Sequence, residues 1–593
     1  MRFTPASLTI NQLLNSANEQ YVIPTYQRRY SWTEKQIWEL IEDVKQVEDG
    51  DQHLLGSIVC LAGHHTAGVN QLEVVDGQQR LTTIVILLEC IRQRLAQEGN
   101  LSGEREIATL LSAVPPRGDP VPKVLLDSID ADEFGDHIEQ ASGKEFKNQQ
   151  LSHAFHVIRE DLVRRSSIEE IQDFVYKLRN QAMVIRLDVS EARDAFKLFE
   201  TINNRGLRLS PTDIVKNFLL GNAARFGPLA LDEARRGWSD LLRHLDGTNS
   251  DAFFRYYLMS LLQTRVKKVE VVSRFKTLFM TQVEEAAKLP ERHNYPDAQE
   301  PDEEDNGEAD ESLSMEPEPI RTEKASFSQF LARLVLCAKN YSEIVQGKTS
   351  DRRINRHLQN LRMIKAVQTY GFLMHLRVGG CNKKQFYEIL ELTENFVLRR
   401  HVCRERANET EALFARLCAV DPAAPMEAIR KGYRDLCPSD DKFKTEFAAA
   451  NFTANLIERA RYCLGRIEAS KHGTYDELEV LGPDDVHVEH IMPQKIRTRR
   501  VKEELGDWVS YLGSNAETYH PKFVSRIGNM TLFAGTLNIG ASNNPFARKK
   551  RAYKESAILL TQELTKLSSF KFKQIETRSK ELADIAVELW PRP

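Results

Sequence analysis

The stretch Leu72-Glu73-Val74-Val75-Asp76-Gly77-Gln78-Gln79-Arg80-Leu81-Thr82-Thr83 constrains the fold more than any other part of the chain. A β-branched run, a Gly turn and an apolar run through Ile91 spell strand, turn and helix in direct succession. Such a unit must bury its strand in a sheet and lay its helix on a face of that sheet, so this region is α/β. A second strand is expected over residues 57–61, joined to the first by a polar loop holding His64 and His65. Before them, Thr33 and Gln36 form a capping box for a helix with the apolar face Ile37, Leu40, Ile41 and Val44, ended by Gly50.

The turn is also chemically suggestive. Free amides and the helix dipole at Gly77–Gln78 make an anion site, and Arg80 adds a guanidinium suited to phosphate. Asp76 and the two Gln can orient a metal or water. Taken alone, DGQQR reads better as a tight turn with solvated amides. Two further motifs accompany it: Ile23-Pro24-Thr25-Tyr26-Gln27-Arg28-Arg29-Tyr30-Ser31-Trp32, and FETINNRGLRLSPTDIVKN from Phe199 to Asn217. In the latter, Ser210 is an N-cap with Pro211 at the first helical position. The three motifs, in this order over residues 10–220, resemble the N-terminal domain of GmrSD-type modification-dependent restriction endonucleases. The resemblance implies a ParB/sulfiredoxin-like fold with one pocket that binds and hydrolyses an NTP (GTP, ATP, CTP or UTP). Carried over, that pocket comprises Tyr26, Gln27, Arg28, Arg29, Asp76, Gly77, Gln78, Gln79, Arg80, Asn203 and Arg205.

Near the other end the chain reads VHVEHIMPQ from Val486, RIGNMTLFAGTLN from Arg526 and SNNPFARKKRAY from Ser542. A hydrolytic nuclease needs oxygen ligands for a hard divalent metal and a base that is neutral near pH 7. Glu489 and Asn538 can supply the oxygens and His490 the base. An EH pair on an alternating strand is by itself usually surface decoration, but here the distant GNMTLF and PFARKK elements accompany it. The set resembles the HNH (ββα-metal) nuclease motif in a form without zinc cysteines, the partner domain of the same family. The resemblance implies Mg²⁺ or Mn²⁺ on Glu489 and Asn538, catalysis by His490, and Asn529 bracing the catalytic loop. His487 has no firm counterpart. Arg548, Lys549 and Lys550 follow closely and are expected to meet the DNA backbone. One strain is visible: adjacent strand residues point to opposite faces, so Glu489 and His490 can share a phosphate only at a bend, which Pro493 invites.

At 593 residues the chain needs more than one core. The expected division is α+β at both ends: residues 1–220 as the ParB-like domain, 221–470 as an all-helical middle, and 471–593 as the HNH-like nuclease domain. Between Asp297 and Pro319 lie eleven acidic residues and no Lys or Arg, and about 290–323 is expected to be a disordered insert. Without those eleven, 85 acids fall to 74 against 81 bases, turning a formal −4 into +7, which permits a nucleic-acid partner. Eight scattered cysteines without C-x-x-C, no signal-peptide pattern and no membrane-length apolar run lead us to expect a reducing, cytoplasmic protein without a membrane partner. The Arg-rich stretch at Arg352, Arg353, Arg356 and Arg362 is evenly balanced between a solvated face and a phosphate track. Gly347-Lys348-Thr349 imitates a P-loop ending, but Ser342 stands where the first Gly belongs.

The functional expectation is an NTP-regulated, metal-dependent endonuclease cutting modified phage DNA in bacterial defence, with a homodimer left open. The alternatives are a phosphorothioate-sensing nickase and NTPase, an RNA-cleaving abortive-infection factor, and a sensor that does not cut.

Overall fold

The structure is a computed structural model that describes all residues except 1, 2, 49, 67, 68, 116, 117, 128, 129, 141–145, 204–209, 289–323, 473–485, 498–507 and 535–544. The described chain forms two compact units, one of Met1–Phe254 with Lys267–Lys339, the other of Arg255–Val266 with Asn340–Pro593. The helical middle is therefore not a body of its own, unlike the expected three-part division. Its earlier part joins the first unit, where Leu331 packs so closely on Gly237 that a Cβ there would lie 2.7 Å from its Cδ2. Its later part joins the second. The acidic segment expected as an insert lies outside the described residues.

The first unit is built on a six-stranded mixed sheet. Its strands are β1 (Phe3–Thr9), β2 (Glu19–Ile23), β3 (His53–Thr66), β4 (Val69–Asp76), β5 (Val124–Leu126) and β6 (Ala182–Val189). In space they run β1-β6-β3-β4-β2-β5. β3 lies antiparallel to β4 and parallel to β6, while β2 runs parallel to both β4 and β5. Strand β3 is longer than expected and carries His64 and His65 itself. Helix α1 (Glu34–Lys45) begins at Thr33, whose amide donates to Gln36 Oε1 at 2.7 Å, and buries Ile37, Leu40, Ile41 and Val44. Helix α2 (Gln78–Gln97) follows β4 after Gly77 alone and is buried along most of its length, against the same core as Ile58 and Val74. That burial explains a sequence with little amphipathic pattern: a helix covered on nearly all sides has no polar face to write. Helices α3 (Ala192–Asn203), α4 (Pro211–Phe226) and α5 (Pro228–Leu245) complete the part of the unit used below.

The second unit is mostly helical. The helices that matter here are α6 (Arg352–Met363), α7 (Lys383–Val402), α8 (Ile457–Lys471), α9 (Phe546–Lys554) and α10 (Phe572–Leu589). Two strands, β7 (Val486–His490) and β8 (Met530–Ala534), pair antiparallel with His490 opposite Met530 and Glu489 opposite Thr531. A core of Ile491, Met492, Trp508, Phe533, Phe546, Tyr553, Phe570 and Ile575 holds this ribbon against the helices that follow. Gly347 has φ +65° after a helix ending at Gln346, so the P-loop imitation is a helix C-terminus. All eight cysteines are free thiols, and no described helix is long and apolar enough to cross a membrane.

Candidate functional site

In the second unit, strand β7 delivers Glu489 inward and ends at His490. Asn529, wholly buried, then fixes the bend. Its carbonyl accepts the Ile491 amide at 2.9 Å, its Oδ1 accepts the Met492 amide at 2.7 Å, and its Nδ2 donates to the Met492 and Val524 carbonyls at 2.9 Å each. His520 adds a bond to the Pro493 carbonyl at 2.9 Å. The bend that Glu489 and His490 require thus follows the strand directly, and Asn529 acts on backbone rather than on any reacting group.

The Glu489 carboxylate is not left open. Lys549, 1 % exposed, reaches in from α9 to ion-pair with it and donates to the His490 carbonyl at 2.8 Å. Burial pushes the Glu489 carboxyl up and the Lys549 ammonium down, so each charge depends on the other. Burial, aided by the Lys549 charge, lowers His490 to about 4, leaving its imidazole unprotonated near neutral pH. Lys549 was expected on the DNA backbone; its side chain instead lies inside, because residues 548–550 point three ways around α9. Arg548 is exposed, and Lys550 is half-buried with its Nζ on the Leu567 carbonyl at 2.8 Å. Asn538 lies outside the described residues. His487 is exposed on β7. Among the described residues no three His, Cys, Asp or Glu side chains converge as a metal cage. A lone buried carboxylate still suits a hard divalent ion that keeps several waters, as Mg²⁺ does.

In the first unit the turn has the expected form: β4 ends at Asp76, Gly77 adopts φ +89° and α2 begins at Gln78. The YQRRY loop packs directly over it, but most of its expected ligand groups are occupied internally. Gln27 Nε2 donates to the Val74 and Val75 carbonyls at 3.0 and 2.9 Å. Gln79 accepts the Ser31 amide at 2.7 Å and donates to the Arg29 carbonyl at 3.2 Å. Arg29 pairs with Asp130 and Asp246, while Tyr26 donates to Glu73, which Arg235 also holds at 2.8 Å. Gln78 is buried as well. These groups lock the loop to the turn. The groups left at the surface are Arg28, exposed and 3.6 Å from Asp213, and the half-buried Asp76, Gly77 and Arg80. Arg80 donates to the Ser57 carbonyl at 3.0 Å and lies flat on Gly56, where a Cβ would meet it at 2.7 Å. The Asn203 side chain and Arg205 lie outside what is described.

One residue escaped the sequence reading. Lys216 on α4 is 3 % exposed, bonded to Gln27 Oε1, 4.0 Å from Asp213 and electrostatically coupled to Asp76 and Arg28. Burial lowers its pKa. The available signal was a lysine on the apolar side of a helix, among Val215, Phe218 and Leu219. Asp76, Arg80, Lys216, Asp213 and Arg28 together make a carboxylate-and-cation cluster at a helix N-terminus, able to hold phosphates and orient water.

Residues 10–220 match the family described as GmrSD restriction endonuclease, N-terminal domain. Residues 437–585 match the one described as GmrSD restriction endonucleases, C-terminal domain. The chain belongs to the GmrSD restriction endonuclease family. The match to its C-terminal domain begins at 437, ahead of the boundary expected at 471, and so takes in α8. In this GmrSD chain Arg461 of α8 donates to the Val486 carbonyl of β7 at 2.9 Å, tying that helix to the ribbon. No curated protein matches the chain.

Proposed function

We propose that this GmrSD chain is an NTP-regulated, metal-dependent endonuclease that cuts modified phage DNA, of which glucosylated or hydroxymethylated cytosine is the leading class. The observation that carries the cutting half is the bend after β7, where Asn529 pins the backbone and His490 is kept unprotonated beside the buried Glu489 carboxylate. In the reaction His490 takes a proton from a water whose oxygen forms the new bond to phosphorus as the P–O bond to the leaving strand breaks. Glu489 and Asn538 would hold Mg²⁺ or Mn²⁺, which supplies neutralisation of charge on the phosphate. Lys549 positions Glu489, and the exposed Arg548 serves the backbone. In the first unit the Asp76–Arg80–Lys216 cluster with Arg28 takes the phosphates of an NTP, held by the locked YQRRY loop.

The test is cleavage of phage DNAs that differ only in base modification, with and without NTP and Mg²⁺, by the unmodified chain and by His490→Ala. We expect cutting of modified DNA that needs both additives and falls about 10²–10⁴-fold in the variant, the usual loss for a positioned general base. Equal cutting by His490→Ala, or cutting of RNA in preference to DNA, sinks the reading.

A further inference from the structure

A separate cavity of about 710 Å³ lies in the helical part of the second unit, lined by the starts of α6 and α7. Arg352 and Arg353 enter from α6, Lys383 and Lys384 from α7, and all four are exposed. One lining carboxylate, Asp351, is already engaged: it pairs with Lys383 and accepts the Arg353 and Ile354 amides at 2.8 and 3.2 Å. Asn382 likewise accepts the Lys384 amide at 2.8 Å, so both helix starts are capped by their own side chains. What remains is the excess positive charge of Arg352, Arg353 and Lys384 around a volume within the range of ligand clefts, about 300–1,000 Å³.

Tyr387 contributes an aromatic surface to this cavity. Its ring stands edge-to-face on His357 at 4.6 Å. His357 is buried and bonded to Glu394, whose carboxylate also accepts from Asn360 at 3.1 Å and from Tyr462 at 2.9 Å. A buried polar network thus fixes the tyrosine from behind while solvent reaches its front. Cations arranged around a half-buried, preorganised ring are the elements of a nucleic-acid strand site: phosphates on the cations, a base on the ring.

We propose that this cavity binds the backbone of a DNA strand, with one base laid against Tyr387. The inference rests on the reading of the chain as a DNA-cutting enzyme. It also settles the balance left by the sequence at Arg352 and Arg353 in favour of phosphate.

The experiment measures binding of a short labelled single strand to the full-length chain in EDTA, by fluorescence anisotropy over a salt series. Arg352→Glu with Arg353→Glu is expected to weaken binding about ten-fold or more, and to make the slope of log affinity against log salt shallower by about 2. Tyr387→Leu is expected to cost about ten-fold and Tyr387→Phe to retain affinity. Arg164→Glu with Arg165→Glu, the same charge change at 73 % and 74 % exposed side chains of the first unit, is the control and should have a much smaller effect. If the double reversal melts early, Lys384→Glu on the other helix carries the same comparison. Unchanged affinity and slope overturn the proposal, as does an equal loss in the control. Loss of binding to GTP alone, with DNA binding intact, overturns it in favour of a free nucleotide. If the unmodified chain binds no DNA at all, the functional reading falls first and this one with it.

Discussion

At the scale of single residues, Lys549 carries the sharpest consequence. It is the cation that makes a buried Glu489 carboxylate tolerable, and its own ammonium has no water to fall back on. Lys549→Met should therefore destabilise the second unit by about 3–5 kcal/mol, the cost of leaving one buried charge without its partner. Cleavage should be lost as Glu489 leaves its position. Chemical denaturation with an intact midpoint would show that the pair is dispensable. A second residue-scale consequence concerns pH. His401 on α7 donates Nδ1–H to the Ile364 carbonyl at 2.9 Å, with Gln368 Nε2 3.3 Å from its Nε2, a neutral-tautomer arrangement. Burial, reinforced by Arg459, lowers its pKa to about 4, while an unfolded histidine titrates near about 6.5. Between those values the unfolded chain binds a proton that the folded chain refuses. Stability is therefore full above about pH 6.5 and declines as pH falls toward 4. Melting temperatures from pH 7.5 down to 5 should fall less steeply for His401→Gln than for the unmodified chain; parallel curves would exclude His401 as the cause.

At the scale of elements, β8 and α10 meet at a glycine. The Gly528 amide donates to Ser579 Oγ at 3.1 Å, and the buried Arg578 donates to the Gly528 carbonyl at 2.9 Å. A Cβ at Gly528 would lie 2.2 Å from the Ile575 carbonyl oxygen, which is backbone and cannot swing aside. Gly528→Ala should cost about 1–3 kcal/mol or more through overpacking. It should also reduce cleavage, since Asn529, the brace of the catalytic bend, is the next residue. A variant with normal melting and normal cleavage would mean that α10 moves freely away from β8. In the first unit the corresponding element is the β4–Gly77–α2 turn. Its two neighbours are both explained by backbone geometry: Gly77 at φ +89° allows the strand to enter the helix without a linker, and Gly56 at φ +121° lets Arg80 lie flat.

At the scale of the whole molecule, the acidic stretch has a defined exit and return. Val283 bridges Ala325 in parallel, Glu284 donates its amide to the Ala325 carbonyl at 3.0 Å, and the Ala325 amide donates to the Gln282 carbonyl at 2.9 Å. The chain therefore leaves the first unit and rejoins it at one place. Replacing residues 289–323 with a short Gly/Ser linker closes a gap already held shut, and loop-closure entropy changes slowly with length. The melting transition should be retained. Because removing the eleven acids of Asp297–Pro319 shifts the formal charge from −4 to +7, non-specific DNA affinity at low salt should rise. A lost transition would assign the segment a structural role.

The sequence by itself determined what local rules can write. The capping box at Thr33, the strand–Gly–helix at Asp76 to Gln78, the Ser210–Pro211 helix start and the Asn529 brace were all legible, because each is fixed by neighbours in the chain or by a motif read as a unit. Long-range pairing of polar groups was not. Nothing local distinguishes Lys549 from Arg548 and Lys550 beside it, yet the turn of α9 and its seat against β7 send only Lys549 to Glu489, 60 residues away. The same holds for Lys216 and Gln27, 189 residues apart, and for the cations of α6 and α7 that share one cavity. A buried charge must find its partner wherever packing puts one, and packing is decided by the tertiary structure.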